Sequence, residues 1–315
     1  MADNIILHIK SPGLYTSIQD LGRNGYQAMG LPSGGAMDRT SAKVANWLLG
    51  NSLDTPILEI TLLGPVISFE NKCQIAIAGA DLSPSVDNVR IPLYKTVNIQ
   101  SGSMLRFGRA VLGCRAYLAV RGKWKLGRWL GSHSTVPFEI IGTMAENPLR
   151  RGSKIKIQPG AEATVKSWQP TGLTEMVTVK KIRVTKGPEF NSFRKKAIEI
   201  FHDQEYTVSQ DSNRMGYRLL SQNKVPVPVN EIISSGILPG TVQVTRSGQP
   251  IIMMADAQTI GGYHRIAHVI SADMDKLAQM KPGDSFRFEI MGIEEAQKAT
   301  REKHKLVNKV LENHI

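Results

Sequence analysis

The chain has 315 residues, 41% of them hydrophobic, and a formal net charge of +12. That length suits about two domains with real cores, and no apolar run reaches the eighteen residues that a membrane-spanning helix requires. The basic residues fall in spaced groups (Arg106, Arg109, Arg115, Arg121, Lys123, Lys125, Arg128; Arg150 to Lys156; Lys180 to Lys186), with aromatics among the first group only (Phe107, Tyr117, Trp124, Trp129), and no nucleic-acid partner is expected from this dispersed footprint. The charge reads instead as a solvated surface or as a face for an anionic substrate or an acidic partner.

The first segment with structure is Ile5 to Lys10, where alternating apolar residues predict a strand. Ala36 to Leu49 predicts a helix, with Met37, Val44, Trp47 and Leu48 on one stripe and Gly50 as its stop. Strands are expected at Ile57 to Thr61, Val66 to Phe69, Gln74 to Ala78, Ile91 to Ile99, Met104 to Phe107 and Ala116 to Val120. A glycine-bearing loop region spans Gly122 to Arg151, and Ile155 with Ile157 closes the first module. Weak periodicity around Pro170 and Gly172 marks a linker. The second module opens at Lys181 to Val184, followed by a short helix over Phe190 to Phe201. Thr241 to Thr245, Ile251 to Met254 and Phe286 to Ile290 read as strands, and Ser271 is placed to cap a helical turn over Met274 to Gln279. Glu294 to Asn313 is an amphipathic helix with Leu306, Val307, Val310 and Leu311 as its apolar stripe, expected to pack on its own module.

The sequence also contains itself twice. Gln19 to Tyr26 and Gln210 to Tyr217 both read Q-D-x-x-R-x-G-Y. Glu59-Ile60 is echoed by Glu231-Ile232, Gly64-Pro65-Val66 by Gly240-Thr241-Val242, Ala80-Asp81 by Ala255-Asp256, and Ser101 to Phe107 by Pro282 to Phe288. Ordered echoes at similar gaps imply two related modules. Repetition favours a structural role for the Asp20/Arg23 and Asp211/Arg214 pairs, as internal ion pairs or turn anchors.

Several chemistries lack their motif. No phosphate loop, no G-x-S-x-G elbow and no C-x-x-C occurs. His264 and His268 are four apart on a strand or turn, where that spacing does not converge on a metal, so no metal site is expected. Cys73 and Cys114 sit in apolar strand settings and fit a reducing compartment. The start, Met1-Ala2-Asp3-Asn4, has no basic segment leading into an apolar one, so a cytoplasmic, membrane-free protein is expected.

Two glycine-rich turns stand out. Ala255 to Tyr263 groups Asp256, Gln258 and Thr259 beside Gly261 and Gly262; it is either a ligand turn that a substrate approaches closely or a turn whose side chains satisfy local amides. Pro32 to Asp38 leads into the first helix, as an anion site at the positive end of the dipole or as simple capping by Ser33 or Asp38. Glu59 is either a solvated strand position or a buried acid.

These motifs resemble the bacterial carboxyltransferase C/D-subdomain family, also called the allophanate hydrolase subunit 2 family. The matching stretches are Ser17 to Arg23 with Gly25-Tyr26-Gln27, Gly34 to Asp38, Leu58 to Thr61, Arg214 to Leu219, Gly248 to Ile251, and Gln258-Thr259 with Gly261-Gly262-Tyr263. The resemblance runs from about Ile5 to Ile290 and is similar in organisation to stand-alone, 5-oxoprolinase-type members. It implies a mainly β fold: two tandem cyclophilin-like β-barrel modules with a few short helices and a C-terminal helix. The expected division is 1–165 and 181–292 for the modules, 166–180 for the linker and 293–315 for the helix.

The implied activity is ATP-driven opening of a lactam, 5-oxoproline, to glutamate. A lactam carbonyl is a poor electrophile, and phosphorylating its oxygen supplies a leaving group. ATP, with Mg, is the implied cofactor. The implied partners are an allophanate hydrolase subunit 1-family protein and a hydrolase-like third subunit, and the chain alone is expected to be inactive. Two other readings stay open: half of a biotin-dependent carboxyltransferase acting on urea or a related amide, which needs biotin on a separate protein, and a non-catalytic antagonist of a subunit 1-like kinase inhibitor. The implied catalytic residues are Glu59, Asp256, Gln258 and Thr259. The implied substrate- or nucleotide-binding residues are Gly34, Gly35, Met37, Asp38, Arg214, Tyr217, Gln249, Gly261, Gly262 and Tyr263. The family's turn reads D-R-Q-T-T-G-G-Y-P-K; here Ala257 replaces the arginine, Ile260 the second threonine and His264-Arg265 the proline-lysine. Arg246 or Arg265 is the expected substitute for the missing charge.

Overall fold

A computed structural model describes residues 3–135, 148–168 and 180–312. Two compact units emerge, one from the described residues of 1–23 and 34–177, the other from those of 24–33 and 178–315. Most of the expected linker at 166–180 lies outside the described residues, as does Gly142 in the expected loop region.

The first unit contains β1 (Ile5–Ser11), β2 (Tyr15–Gln19), α1 (Arg39–Leu48), β3 (Ile57–Thr61), β4 (Val66–Phe69), β5 (Cys73–Asp81), β6 (Ser85–Val86), β7 (Val89–Arg90), β8 (Val97–Ile99), β9 (Met104–Arg106), β10 (Leu112–Val120), β11 (Lys123–Trp124) and β12 (Lys154–Gln158). These strands form two sheets, ordered β11-β12-β1-β4-β9-β6-β7 and β2-β3-β10-β5-β8. Alternate residues of both sheets enter one core: Ile5, Leu7 and Ile9 from β1, Leu58 and Ile60 from β3, and Ala116, Leu118 and Val120 from β10. The intervening residues of the second sheet face the other way, toward α1, which packs on β5 and β10.

α1 starts where Asp38 accepts the Ser41 amide at 2.9 Å, a side-chain cap. It ends where Gly50, at φ +63°, lets the Gly50 and Asn51 amides turn back to the Trp47 and Asn46 carbonyls. The expected strand over Ile91 to Ile99 is shorter, because only Val97–Ile99 pairs. Tyr94 sits at φ +54°, which no strand accommodates.

The second unit contains β13 (Lys181–Lys186), α2 (Lys195–Asp203), β14 (Tyr206–Val208), β15 (Gly216–Ser221), β16 (Ser235–Gly236), β17 (Thr241–Val244), β18 (Pro250–Met253), β19 (Ile260–Gly261), β20 (His264–Val269), α3 (Met274–Ala278), β21 (Ser285–Ile290) and α4 (Ile293–Glu312). Seven of these strands close a barrel in the order β13-β20-β17-β18-β15-β14-β21. The ring closes through a parallel pairing of β13 with β21, Ile182 opposite Phe288. At one side of the core, Phe201 of α2 stacks on Phe288 with centroids 4.6 Å apart. Tyr206 and Phe286 complete this aromatic group, in which each pair adds about 0.5–1.5 kcal/mol beyond burial. The chain thus is mainly β, as expected, with one unit closed as a barrel and the other built from two sheets on a common core.

Local expectations needed adjustment. The helix expected over Phe190 to Phe201 is a 3-10 turn, Phe190–Ser192, then α2 after an extended Phe193. Ser271 lies inside a 3-10 turn and makes no side-chain cap. α4 does pack on its own unit, but mainly through Ala296 against Ile270 and Ala272. Lys303 reinforces it by reaching the Asp275 carboxylate at 2.6 Å. Of the expected stripe Val307 is buried, whereas Leu306 is 48% exposed.

The repeated octapeptides share a buried arginine, Arg23 or Arg214, but not its surroundings. Asp20 is buried and accepts hydrogen bonds from the Ser132 hydroxyl at 2.7 Å, the Ser134 hydroxyl, and the His133 and Gly22 amides. Asp211 is exposed. Neither expected internal pair is among the ion pairs of the described residues: Arg214 bonds Asp256 instead, and Arg23 donates to the Ser134 carbonyl at 2.6 Å.

Burial of Asp20 works to raise its pKa, but the hydrogen bonds from Ser132, Ser134, His133 and Gly22 outweigh it and hold the carboxyl below its ordinary value. A depressed folded pKa contributes stability above the unfolded value, lost as pH falls through the folded one. The melting temperature of the wild type is expected to fall more steeply than that of Asp20→Asn between about pH 5 and about pH 2. Parallel decline of the two in a thermal-melt series would refute this.

Candidate functional site

The first candidate lies under the start of α1. Glu59 is central on β3, opposite Ser17 of β2 and Tyr117 of β10. Its Oε2 accepts the Met37 amide at 2.8 Å and the Tyr117 hydroxyl at 3.0 Å. Arg115 approaches the other oxygen at 3.8 Å. The Asp38 amide donates to the Tyr117 hydroxyl at 2.7 Å, and the Ser41 hydroxyl donates to the Asp38 carboxylate at 2.6 Å. Glu59, Asp38 and Tyr117 are all 0% exposed.

The phenols in this group stay protonated. Burial, then the Glu59 and Asp38 charges, pushes the Tyr117 hydroxyl well above its usual value. Burial and the Asp38 charge push Tyr94 to about 12. Both tyrosines therefore act as neutral donors across the working pH range.

The Pro32 to Asp38 turn is held against this group by conformation. Gly35, at φ +85°, lies so close to Leu21 and Gly22 that a Cβ there would stand 2.7 Å from the Gly22 amide nitrogen. The Ala36 amide bonds the Asp20 carbonyl at 2.8 Å. With the Ala36, Met37 and Asp38 amides engaged, and Asp38 capping α1, the turn fits the capping alternative. Met37 and Asp38 thus converge with Glu59 and Tyr117 in one buried network, and Gly34 and Gly35 are buried in the turn before them.

The second candidate is the Ala255 to Tyr263 turn of the barrel. Arg214 and Asp256 form a two-pronged pair, Nε to Oδ2 at 2.7 Å and Nη2 to Oδ1 at 2.9 Å, with both side chains almost wholly buried. The Asp256 amide also bonds the Arg214 carbonyl at 2.9 Å. Thr259 is buried, and its carbonyl accepts the Ile237 amide at 2.8 Å. At Gly261 a Cβ would lie 2.2 Å from Ile237 Cδ1 and 2.9 Å from Gln243 Nε2. Gln243 in turn donates to the Tyr263 carbonyl at 3.2 Å. On this fixed base Gln258, Gly262 and Tyr263 face solvent. Gln249 is half-buried in a turn closed by Thr245, and Tyr217 is buried with its hydroxyl on the Met280 carbonyl at 3.2 Å.

Of the two expected substitutes for the missing family arginine, Arg265 is committed within the barrel, and Arg246 stands in an exposed surface pair. Arg265 grips Glu189 with two nitrogens, Nε at 2.8 Å, and donates to the Gly236 carbonyl. The hydrogen bonds from Arg265 hold the Glu189 carboxyl below its usual range. Arg246 pairs with Glu231 at 2.6 Å on the surface. Glu231, the echo of Glu59, is therefore a solvated position. His264 is buried edge-to-face on Phe193, and among the described residues no group of three His, Cys, Asp or Glu gathers as metal ligands do. Burial pushes the Cys73 thiol up to about 12, so it is inert as a nucleophile.

Three residues of these sites were not anticipated: Tyr117, Tyr94 and Gln243. The signal for Tyr117 and Gln243 was a lone polar group in an otherwise apolar strand. Tyr94 carried none.

A family model for the carboxyltransferase domain, subdomains A and B, matches residues 29–290. The chain belongs to this carboxyltransferase domain family. It is 36% identical over 300 residues to a subunit of 5-oxoprolinase from Escherichia coli (strain K12), spanning 95% of this chain and 96% of that protein. It is 32% identical to urea amidolyase of Saccharomyces cerevisiae over 92% of this chain, but only 17% of that enzyme. The crystal structure of K. lactis urea amidolyase superposes with a TM-score of 0.85 at 28% identity, covering 98% of this chain and 20% of that one. Among the described residues no helix is long and apolar enough to cross a membrane.

Removing Asp256 breaks a buried, two-pronged ion pair with Arg214, so Asp256→Ala is expected to cost about 3–5 kcal/mol in chemical denaturation. Gln258→Ala, on an exposed side chain, is expected to stay within about 0.5 kcal/mol of wild type. Equal losses for the two would show that the pair is not the anchor of the turn.

Proposed function

We propose that this chain is a subunit of an ATP-dependent 5-oxoprolinase-type amidohydrolase. It would open a lactam, 5-oxoproline, to glutamate together with an allophanate hydrolase subunit 1-family partner and a third, hydrolase-like subunit. The observation that carries this reading is coextension: the 36% identity to the 5-oxoprolinase subunit of Escherichia coli spans nearly all of both chains, whereas the urea amidolyase match is a small part of a much longer enzyme.

The barrel turn supports it. Gln258 offers a carboxamide to solvent beside Gly261 and Gly262, and a carboxamide pairs with a lactam by one donor and one acceptor. Asp256 in this reading is a positioning residue, spent on Arg214, rather than an acid or base that meets the substrate. Thr259 and Tyr217 support the turn from within, and Tyr263 flanks it. The Glu59 network holds the Pro32 to Asp38 turn rather than reacting. When bound, ATP with Mg supplies the phosphoryl group that turns a lactam oxygen into a leaving group. A cytoplasmic, hetero-oligomeric enzyme inactive as this chain alone follows from the same reading.

One observation favours a second reading, a carboxyltransferase acting with biotin on a separate protein: the fold matches K. lactis urea amidolyase over 98% of this chain. The deciding measurement is ATP hydrolysis with and without 5-oxoproline, by this chain alone and with its two partners. Turnover that requires all three, and falls about 10- to 100-fold in Gln258→Ala with the fold intact, is the expected result. A stable complex without 5-oxoproline-dependent turnover refutes it, and transfer of carboxyl from biotin would then establish the second reading.

A further inference from the structure

A cavity of about 820 Å³ opens in the first unit, between the end of α1, β11 and the end of β12. Its size falls within the roughly 300–1,000 Å³ typical of small-ligand sites. Arg121, Lys123, Lys125, Arg128 and His133 line it, and among the described residues no carboxylate does. The nearest acid in sequence, Asp54, is outside the lining and accepts the Ser52 hydroxyl. Among the described residues no ion pair engages Lys123, Lys125 or Arg128.

The cationic groups are partly set in place. Arg121 donates from Nε to the Ala161 carbonyl at 2.9 Å and from Nη1 to the Gly50 carbonyl. Carbonyls fix a guanidinium without neutralising it. Gly160 lies against the same group, where a Cβ would come within 3.2 Å of Arg121 Nε, so the backbone leaves the guanidinium uncovered. Arg128 is held through Nε by the Gly131 carbonyl at 2.8 Å. His133 Nδ1 lies 2.9 Å from the Gly127 carbonyl, so that nitrogen carries the proton. Pro56, Leu126 and Pro159 give the cavity an apolar wall.

We propose that this cavity binds a small molecule bearing two or more phosphates. A single carboxylate would satisfy one of these cations; several uncompensated cations around one concave space match a chain of phosphates. The excess positive charge evident in the sequence thus has one focused use. The site deepens the functional reading above, on which it rests only for the identity of a nucleotide as the natural ligand.

The test is calorimetric titration of the whole chain with ATP and with inorganic tripolyphosphate at low ionic strength. Both are expected to bind in competition. Both should weaken about tenfold or more in the paired variant Lys123→Gln with Lys125→Gln. The control pair Lys298→Gln with Lys305→Gln, the same charge change on exposed positions of α4, should bind as wild type. Thermal melts verify that both variants fold, as exposed lysines allow. Tighter binding of ATP identifies a nucleotide site, and equal binding identifies a site for the phosphate chain from any source. No binding of either probe, or equal weakening by both variant pairs, overturns the proposal. Loss of partner assembly instead of phosphate binding in the Lys123/Lys125 variant also overturns it, in favour of an acidic partner surface. In the assembled complex, unchanged 5-oxoproline-dependent turnover with an unchanged KM for ATP in that variant overturns the cavity as the nucleotide's site and spares the function. Phosphate binding without any such turnover does the reverse.

Discussion

Buried charge is the constraint on which this architecture depends. Glu59 and Asp256 have lost water entirely, and a carboxylate in that position costs several kcal/mol unless neighbours replace its hydrogen bonds. Each unit answers differently. In the first unit Glu59 is solvated by a backbone amide and a phenol, with Arg115 further off. In the barrel Asp256 is matched by one guanidinium with two bonds. Because each solution draws its donors from distant segments, it also sets where those segments lie. Met37 is placed by Glu59, and the 256–263 turn by Arg214.

This explains why the internal repeat is more faithful in its strands than in its polar residues. β9 and β21 fall at corresponding places in Ser101 to Phe107 and Pro282 to Phe288, since alternating apolar residues suffice to form them. Polar positions have diverged in role. Asp20 gathers Ser132, His133 and Ser134 while Asp211 faces solvent; Glu59 is buried while Glu231 meets Arg246 outside. An arginine remains buried in both copies, but its partners have changed. Sequence identity at a repeat therefore preserved a position without preserving an interaction.

Much of the fold was legible for the same reason. β3 and β4 were anticipated residue for residue, and α1 was bracketed by Asp38 and Gly50, because period and caps are local properties. β2 (Tyr-Thr-Ser-Ile-Gln) and β15 escaped notice, since polar side chains interrupt their apolar alternation, and β20 was read only as strand or turn. The over-extended strand at Ile91 to Ile99 failed on one backbone angle, that of Tyr94, which composition does not announce. At the candidate site, the chosen residues of each turn lie in the clusters described above. Roles were not legible: that Asp256 is occupied by Arg214, or that Arg265 is occupied by Glu189, depends on pairings across 42 and 76 residues.

Charge separates what is fixed from what remains able to interact. The basic side chains of the barrel turn are committed: Arg214 to Asp256, Arg265 to Glu189, Arg246 to Glu231. Each pair cancels its own field, so that turn presents amide and hydroxyl groups to solvent with little net charge, which suits a neutral amide. In the cavity beside β11 the arginines rest on carbonyls, which orient a cation and leave its charge in force. The proposed function, which pairs a neutral lactam with a polyanion, would use both environments. A polyanion at the turn would meet cations already paired with carboxylates, and a lactam in the basic cavity would give its cations nothing to neutralise.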